Sequence, residues 1–147
     1  MREGAMRKTI LVVEDEVGVR RALARLLGDH GFRTIEAGNG REAIQRLSEE
    51  TPAAIVIDLF MPIMSGVELL KALRRNSYYR KIPTVVMTGS GIAEVWGVPT
   101  VLKPNIEGLP LVIEKLLADP TGGIASHDDA PEVSPGAAEQ EHGTALQ

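Results

Sequence analysis

The sequence predicts an α/β fold in which helices cover both faces of an open parallel sheet. Short aliphatic runs, typical of strands buried on both faces, alternate with segments whose apolar residues follow helical spacing. The connections between these segments are short, which is the pattern of successive strand–helix units in a parallel sheet. A length of 147 residues fits one domain with a well-buried core.

The first half of the chain contains three predicted strands and two predicted helices. The strands are the apolar runs at residues 10–13, 32–37 and 53–59. The first helix ends at Gly31, a residue that favours helix termination. Its inward face is formed by Val19, Ala22, Leu23, Leu26 and Leu27. The second helix covers residues 41–50, and its apolar face is formed by Ala43, Ile44 and Leu47.

The second half continues the alternation but leaves one helix short. A third helix is predicted over residues 67–75, a fourth strand over 83–87 and a short fifth strand over 99–102. The inward stripe of the last helix is formed by Leu109, Val112, Ile113 and Leu116. Only residues 88–98 remain for a helix between the fourth and fifth strands. Because they include three glycines, this helix is predicted to be short or absent, with at most one turn at residues 92–96.

Charge and composition divide the chain into a folded domain and a tail. The predicted domain covers residues 7–117, and the chain as a whole has a formal net charge of −4. Residues 118–147 carry six acidic residues, three prolines and no Lys or Arg, with little apolar surface to bury. This segment is therefore predicted to be a disordered acidic tail.

Composition also excludes several classes of function. The chain has no cysteine, which rules out a disulfide scaffold, a zinc ribbon and a thiol nucleophile, and which fits a cytoplasmic location. No run of 18 apolar residues is present, so no membrane association is expected. An aromatic content of 3% and a negative net charge are unfavourable for binding nucleic acid, and direct DNA binding is not expected.

Chemically active side chains occur where the predicted strands end. In an open parallel sheet, ligands bind at the carboxyl ends of the strands. The residues at those ends are Glu14, Asp15, Asp58, Thr88 and Lys103. Three carboxylates in one small cleft repel one another, and a hard divalent cation compensates for that repulsion. The sequence therefore predicts a Mg²⁺ site with a lysine beside it.

The same strand ends disfavour two other kinds of site. A dinucleotide or Walker-type phosphate site needs a glycine-rich turn after the first strand, whereas this chain has three acidic residues at positions 14–16. A Ser-His-Asp hydrolase needs a histidine near the sheet. His30 is at the predicted end of a helix, where a capping role is expected, and His127 and His142 lie in the tail.

Four short motifs together resemble the receiver domain of two-component response regulators. They are Val13-Glu14-Asp15-Glu16, Asp58-Leu59-Phe60-Met61-Pro62, Thr88-Gly89 and Lys103-Pro104. The resemblance covers residues 8–117. It implies a flavodoxin-like (βα)₅ fold, a doubly wound parallel sheet with strand order 2-1-3-4-5.

The resemblance also implies a role for each residue of the site. Asp58 would accept a phosphoryl group in a Mg²⁺-dependent reaction. The metal would be surrounded by Glu14, Asp15, Asp58 and the backbone carbonyl of Phe60. Thr88 and Lys103 would contact the phosphoryl oxygens. The Lys103–Pro104 peptide bond would be cis.

The implied partners are proteins. The phosphoryl donor would be a sensor histidine kinase, for which the glycine-rich segment before the fifth strand favours the HWE type, or a histidine phosphotransfer protein. The conformational change would regulate an unknown downstream protein, because residues 118–147 resemble neither a DNA-binding nor a catalytic output domain. A stand-alone receiver or one part of a longer protein is therefore expected. For three arginines of the first helix, Arg20, Arg21 and Arg25, a solvated face is expected, and contact with an acidic partner is the alternative.

Two departures from the family pattern accompany this interpretation, the short fourth helix and the residue at position 100, and two alternative functions stay open. Receivers usually carry an aromatic residue three positions before the lysine, and here that position is Thr100. One alternative is a pseudo-receiver that only binds proteins. The other is a phosphatase of the haloacid dehalogenase type, which needs a second aspartate where this chain has Phe60. The favoured interpretation is a self-phosphorylating signalling domain and not an enzyme that acts on a separate substrate.

Overall fold

The structure, a computed structural model, describes residues 6–89 and 98–119. The strands are β1 (Thr9–Val13), β2 (Arg33–Ala37), β3 (Ala54–Asp58), β4 (Thr84–Thr88) and β5 (Thr100–Leu102). The helices are α1 (Val17–Asp29), α2 (Gly40–Glu49), α3 (Gly66–Arg75) and α4 (Leu109–Ala118). Short 3₁₀ helices cover Tyr79–Lys81 and Lys103–Gly108.

The described strands form one parallel sheet in the order β2-β1-β3-β4-β5. This arrangement confirms the predicted fold class and strand order. All residues of β1, β3 and β4 are buried, whereas β2 and β5, at the two edges, are partly exposed. The continuous aliphatic runs of the central strands follow from this burial, because both faces of those strands lie under helices.

Helices pack on both faces of the sheet, and the residues of each strand alternate between two apolar cores. In β1, Leu11 and Val13 belong to the core formed with α2 and α3, and Ile10 and Val12 belong to the core formed with α1 and α4. The helices contribute Ala43, Leu47, Leu69, Leu70 and Leu73 to the first core and Leu23, Leu27, Leu109 and Ile113 to the second. This two-sided packing is the doubly wound arrangement expected from the sequence.

Local sequence signals determine where α1 ends and where α3 begins. Gly31 follows α1 with a φ of 89°, and Phe32 N–H donates to the Leu27 carbonyl at 3.1 Å. These features form a Schellman motif, as Gly31 predicted. At the start of α3, the Ser65 side chain accepts from Glu68 N–H, and the Glu68 carboxylate accepts from Ser65 N–H. This capping box holds one end of the loop that follows β3.

Several predictions fall on residues outside the described ranges. The segment between β4 and β5, with its predicted single turn at residues 92–96, and the acidic tail from residue 120 onward are among them. Among the residues that are described, no helix has the length and apolar character needed to cross a membrane. No cis peptide bond is found in the described backbone, so the cis geometry expected for Lys103–Pro104 is not confirmed.

Candidate functional site

Three carboxylates converge at the carboxyl ends of the two central strands. Glu14 and Asp15 directly follow β1, and Asp58 is the last residue of β3, the strand paired with β1. One carboxylate oxygen from each of these residues lies within 4.8 Å of the other two. The structure therefore brings together the three acidic side chains that the strand ends predicted.

Glu14 is the most deeply placed of the three. Its side chain is fully buried, and its Oε2 accepts a hydrogen bond of 3.1 Å from Glu16 N–H. Burial, together with the negative charge of Asp58, raises the pKa of the Glu14 carboxyl from 4.5 to about 6. The Glu16 hydrogen bond and the Lys103 ammonium oppose this rise in pKa without cancelling it.

Lys103 joins two of the carboxylates. Its Nζ lies 3.1 Å from Glu14 Oε1 and 3.2 Å from Asp58 Oδ2. Burial on its own lowers the pKa of the lysine, but the hydrogen bonds to Glu14 and Asp58 and the negative charges of these two carboxylates together outweigh burial, so that the pKa is raised above 10.5. The ammonium thus stays charged and partly neutralises the acidic cluster.

Asp58 is held at the end of a buried strand with its carboxylate directed at Lys103. The residue is 3% exposed, and Phe60 N–H approaches its Oδ1 at 3.4 Å, a long hydrogen bond. In the following loop, Leu59 N–H donates to the Met87 carbonyl of β4 at 3.3 Å, and Gly66 N–H donates to the Leu59 carbonyl at 2.9 Å. These bonds fix the backbone next to Asp58 and so the position of its carboxylate.

Thr88 and Phe60 complete the set of predicted residues. Thr88 is buried at the end of β4 and is paired in register with Leu102, the residue before Lys103. Phe60 lies two residues after Asp58, and 44% of it is exposed. Thr88 is the last residue of β4, and Phe60 follows the end of β3, so both residues lie at the sheet edge that carries the acidic cluster.

The residues present fit a hard divalent cation. Mg²⁺ prefers oxygen ligands and usually binds to one or two carboxylates. Glu14, Asp15 and Asp58 supply a cluster of such oxygens, and buried Glu14 Oε1 has an ion pair with Lys103 but accepts no hydrogen bond from the described residues. A buried acceptor with unused capacity is a feature that a bound cation would satisfy.

Sequence reasoning missed Arg20. Although Arg21 and Arg25 are exposed as expected, the Arg20 side chain is only 16% exposed. Its guanidinium donates from Nη1 to the Glu14 carbonyl at 2.7 Å and from Nε to Glu36 Oε1 at 3.0 Å. A cation in the first turn of α1, close to the positive end of the helix dipole, was the sequence signal that could have singled out this residue.

Comparison with known proteins gives a consistent result. A family model described as the response regulator receiver domain matches residues 10–97. The chain is 38% identical over 89 residues to the phosphate regulon transcriptional regulatory protein PhoB of Escherichia coli K12, covering 60% of this chain and 39% of that protein. It is 33% identical over 86 residues to sporulation initiation phosphotransferase F of Bacillus subtilis 168, covering 58% of this chain and 68% of that protein.

Solved structures extend the likeness beyond residue 97. A sensor protein from Polaromonas sp. JS666 has a TM-score of 0.71 at 30% identity, and the alignment covers 77% of this chain and 98% of that one. The chemotaxis protein CheY4 of Vibrio cholerae has a TM-score of 0.69 at 28% identity, covering 75% of this chain and 98% of that one.

The chain spans about two fifths of the PhoB protein's length, because the match covers 39% of it.

Proposed function

This chain belongs to the response regulator receiver domain family of two-component signalling, and on that premise we propose that Asp58 accepts a phosphoryl group. The donor would be a sensor histidine kinase, with the HWE type favoured, or a histidine phosphotransfer protein. The observation that carries the proposal is the placement of Asp58, a nearly buried carboxylate 3.2 Å from the Lys103 ammonium and clustered with two further carboxylates.

In the proposed reaction, a carboxylate oxygen of Asp58 attacks the phosphorus of the donor's phosphohistidine. The P–O bond to Asp58 forms as the P–N bond breaks, and the imidazole of the donor leaves with the bonding electron pair. A carboxylate is a weak nucleophile, so the rate must come from positioning and from neutralising the phosphoryl oxygens. The hydrogen bonds of Leu59 and Gly66 hold the backbone that carries Asp58 and so supply the positioning.

Positive charge at the site would come from two sources. We assign Glu14, Asp15, Asp58 and the Phe60 carbonyl as ligands of Mg²⁺, which when bound supplies positive charge next to the transferred oxygens. Lys103, already at the Asp58 carboxylate, would contact a phosphoryl oxygen once Asp58 is modified. The Thr88 hydroxyl would donate a hydrogen bond to another phosphoryl oxygen.

The proposal includes the output and the location of the domain. We propose that phosphorylation changes the conformation of the domain and so regulates a separate protein, in the cytoplasm where the kinase would be phosphorylated. The chain would act as a self-phosphorylating signalling domain and not as an enzyme with a separate substrate.

A pseudo-receiver is disfavoured because Asp58, Thr88 and Lys103 are all present. A phosphatase of the haloacid dehalogenase type is disfavoured because Phe60 stands where that chemistry needs a second aspartate.

Acetyl phosphate tests the assignment without the cognate kinase. We expect the wild-type chain to gain one phosphoryl group by intact mass spectrometry in Mg²⁺ and none in excess chelator. Asp58→Ala should gain none, whereas Asp29→Ala, which removes an exposed carboxylate at the end of α1, should react like wild type. Undiminished labelling of Asp58→Ala, or no labelling of the wild-type chain, would overturn the proposal.

A further inference from the structure

We propose that Arg20 is a positioning residue that orients Glu14 and Asp15 for cation binding, an inference that rests on the proposed function. The Glu14 carbonyl, to which Arg20 Nη1 donates at 2.7 Å, belongs to the peptide group that joins Glu14 to Asp15. Because a peptide group is planar, fixing its carbonyl oxygen restricts the directions in which both of the flanking side chains leave the backbone. One guanidinium thus acts on two of the three clustered carboxylates.

The remaining polar groups of Glu14 are held by other parts of the fold. Glu14 N–H donates to the Ala37 carbonyl at 3.0 Å, and the carboxylate is engaged by Glu16 N–H and by Lys103. Arg20 provides the bond to the Glu14 carbonyl, and the guanidinium is itself fixed by Glu36 Oε1 at 3.0 Å. The Glu36 backbone is held in turn, since its carbonyl accepts from Arg46 Nε at 3.2 Å. Arg20 and Glu36 therefore form a brace, a chain of hydrogen bonds that connects α1 and the edge strand β2 to the loop of residues 14–16.

The position of Arg20 in α1 is electrostatically unfavourable for the helix alone. It is the fourth residue of α1, where the positive end of the helix dipole disfavours a cation, and the first turn carries no acidic residue. A residue that breaks a local rule while making specific contacts beside a site is expected to serve that site. The bond from Arg20 to the carbonyl of Glu14 is such a contact.

Charge and positioning predict opposite effects when Arg20 is replaced. Removing a positive charge near the acidic cluster strengthens cation binding if electrostatics dominates. Removing the brace weakens binding, because outer-shell partners of metal ligands typically contribute 10- to 100-fold in affinity. The sign of the change in Mg²⁺ affinity therefore distinguishes a positioning role of Arg20 from a purely electrostatic one.

The experiment compares Mg²⁺ affinities by isothermal titration calorimetry of the full chain. We expect Arg20→Met to weaken binding by roughly tenfold, the lower end of the range for outer-shell partners. Arg21→Met removes the same charge from an exposed neighbour and should leave the affinity equal to or slightly above that of wild type. Arg20→Lys keeps the charge but lacks the fork that contacts Glu14 and Glu36 together, so it should restore affinity only in part.

Two further readouts distinguish positioning from loss of structure. Acetyl phosphate labelling of Arg20→Met should approach the wild-type rate when Mg²⁺ is raised to saturation. If Arg20→Met does not fold, Arg20→Lys supplies the test, because it keeps the charge but not the paired contacts and should bind Mg²⁺ more weakly than Arg21→Met. Arg20→Met and Arg20→Lys that bind as tightly as Arg21→Met would overturn the inference while leaving the proposed function intact. A wild-type chain that binds no Mg²⁺ would instead overturn the metal assignment and this inference with it.

Discussion

A Cβ atom on Gly66 would lie 2.1 Å from the carbonyl oxygen of Asp58 and 2.7 Å from the Cα of Leu59. Both of these neighbours are backbone atoms, which cannot move aside as a flexible side chain can. Gly66 also begins α3 and donates its N–H to the Leu59 carbonyl at 2.9 Å. The first residue of α3 is therefore packed directly on the backbone of the candidate phosphoacceptor.

The first prediction is that Gly66→Ala damages both stability and phosphorylation. Forcing a methyl group into this contact requires the backbone of α3 or β3 to shift, and overpacking of this kind costs roughly 1–3 kcal/mol of unfolding free energy. Because Asp58 itself would be displaced, we expect slower labelling by acetyl phosphate even at saturating Mg²⁺. Urea denaturation and the labelling rate measure the two effects.

Gly28 provides the matched control for this substitution. It lies within α1, and a Cβ atom there would meet nothing within 4 Å. Gly28→Ala should therefore stabilise the protein by roughly 0.5–1 kcal/mol through helix propensity alone. A Gly66→Ala variant with wild-type stability and labelling would show that the contact imposes no constraint.

The sequence sufficed for the sheet and for the clustering of Glu14, Asp15 and Asp58, because burial patterns and strand ends are local signals. The apolar runs of β1, β3 and β4 specify central strands, and parallel strands bring their carboxyl ends to one edge. The contact of Gly66 with Asp58 and the bonds of Arg20 to Glu14 and Glu36 were not predictable in the same way. They depend on distances between segments that only the packed fold sets, and an arginine on a helix is more often solvated.

The second prediction concerns pH in the absence of metal. The folded state raises the pKa of Glu14 to about 6 from 4.5, so between these values the folded protein binds more protons than the unfolded chain. The free energy of unfolding should therefore fall as pH rises through this window and lose about 2 kcal/mol, the equivalent of this shift. Above pH 6, Glu14 contributes no further change.

Glu14→Gln isolates this contribution. In chelator, we expect the variant to exceed wild type in unfolding free energy at pH 7.5, with an advantage that declines as pH falls toward 4.5. Adding Mg²⁺ should stabilise wild type more than Glu14→Gln, because a cation that binds only the folded state adds to its stability. Equal pH dependence of the two proteins in chelator would contradict the assignment of the shift to Glu14.

The third prediction is a long-lived aspartyl phosphate. Hydrolysis requires a water held in line with the phosphorus, and the side chain two residues after the phosphoacceptor is well placed to orient it. Here that residue is Phe60, which is 44% exposed and has no side-chain hydrogen-bonding group. Phe60→Asn should shorten the half-life of the phosphorylated domain by about tenfold, the equivalent of one hydrogen bond to the water.

Ile63 offers a control in the same loop. It is 71% exposed and has a φ of 69°, a conformation that asparagine accepts more readily than a β-branched residue. Ile63→Asn should leave the half-life close to that of wild type, measured by mass spectrometry after removal of acetyl phosphate. A wild-type half-life of seconds, or an unchanged half-life in Phe60→Asn, would be the contrary result.

The last prediction concerns Thr100, which occupies the position of the usual aromatic reporter. The residue is paired in register with Val86, and its Oγ1 is buried without a hydrogen-bond partner among the described residues. A buried hydroxyl without a partner is destabilising, so Thr100→Val should raise the unfolding free energy by about 1 kcal/mol. Thr84→Val is the matched control with the opposite sign, because Thr84 Oγ1 donates to the Ile82 carbonyl at 2.9 Å and loses that bond.

Thr100→Val also tests whether the side chain of Thr100 takes part in the conformational change that follows phosphorylation. A change of state requires a contact that differs between the two conformations, and a threonine is too small to exchange a large exposed surface for a large buried one. We therefore expect Thr100→Val to retain the wild-type increase in melting temperature on binding beryllofluoride with Mg²⁺. Loss of that increase in a well-folded variant would show that the Thr100 hydroxyl itself couples the phosphorylation site to the rest of the domain.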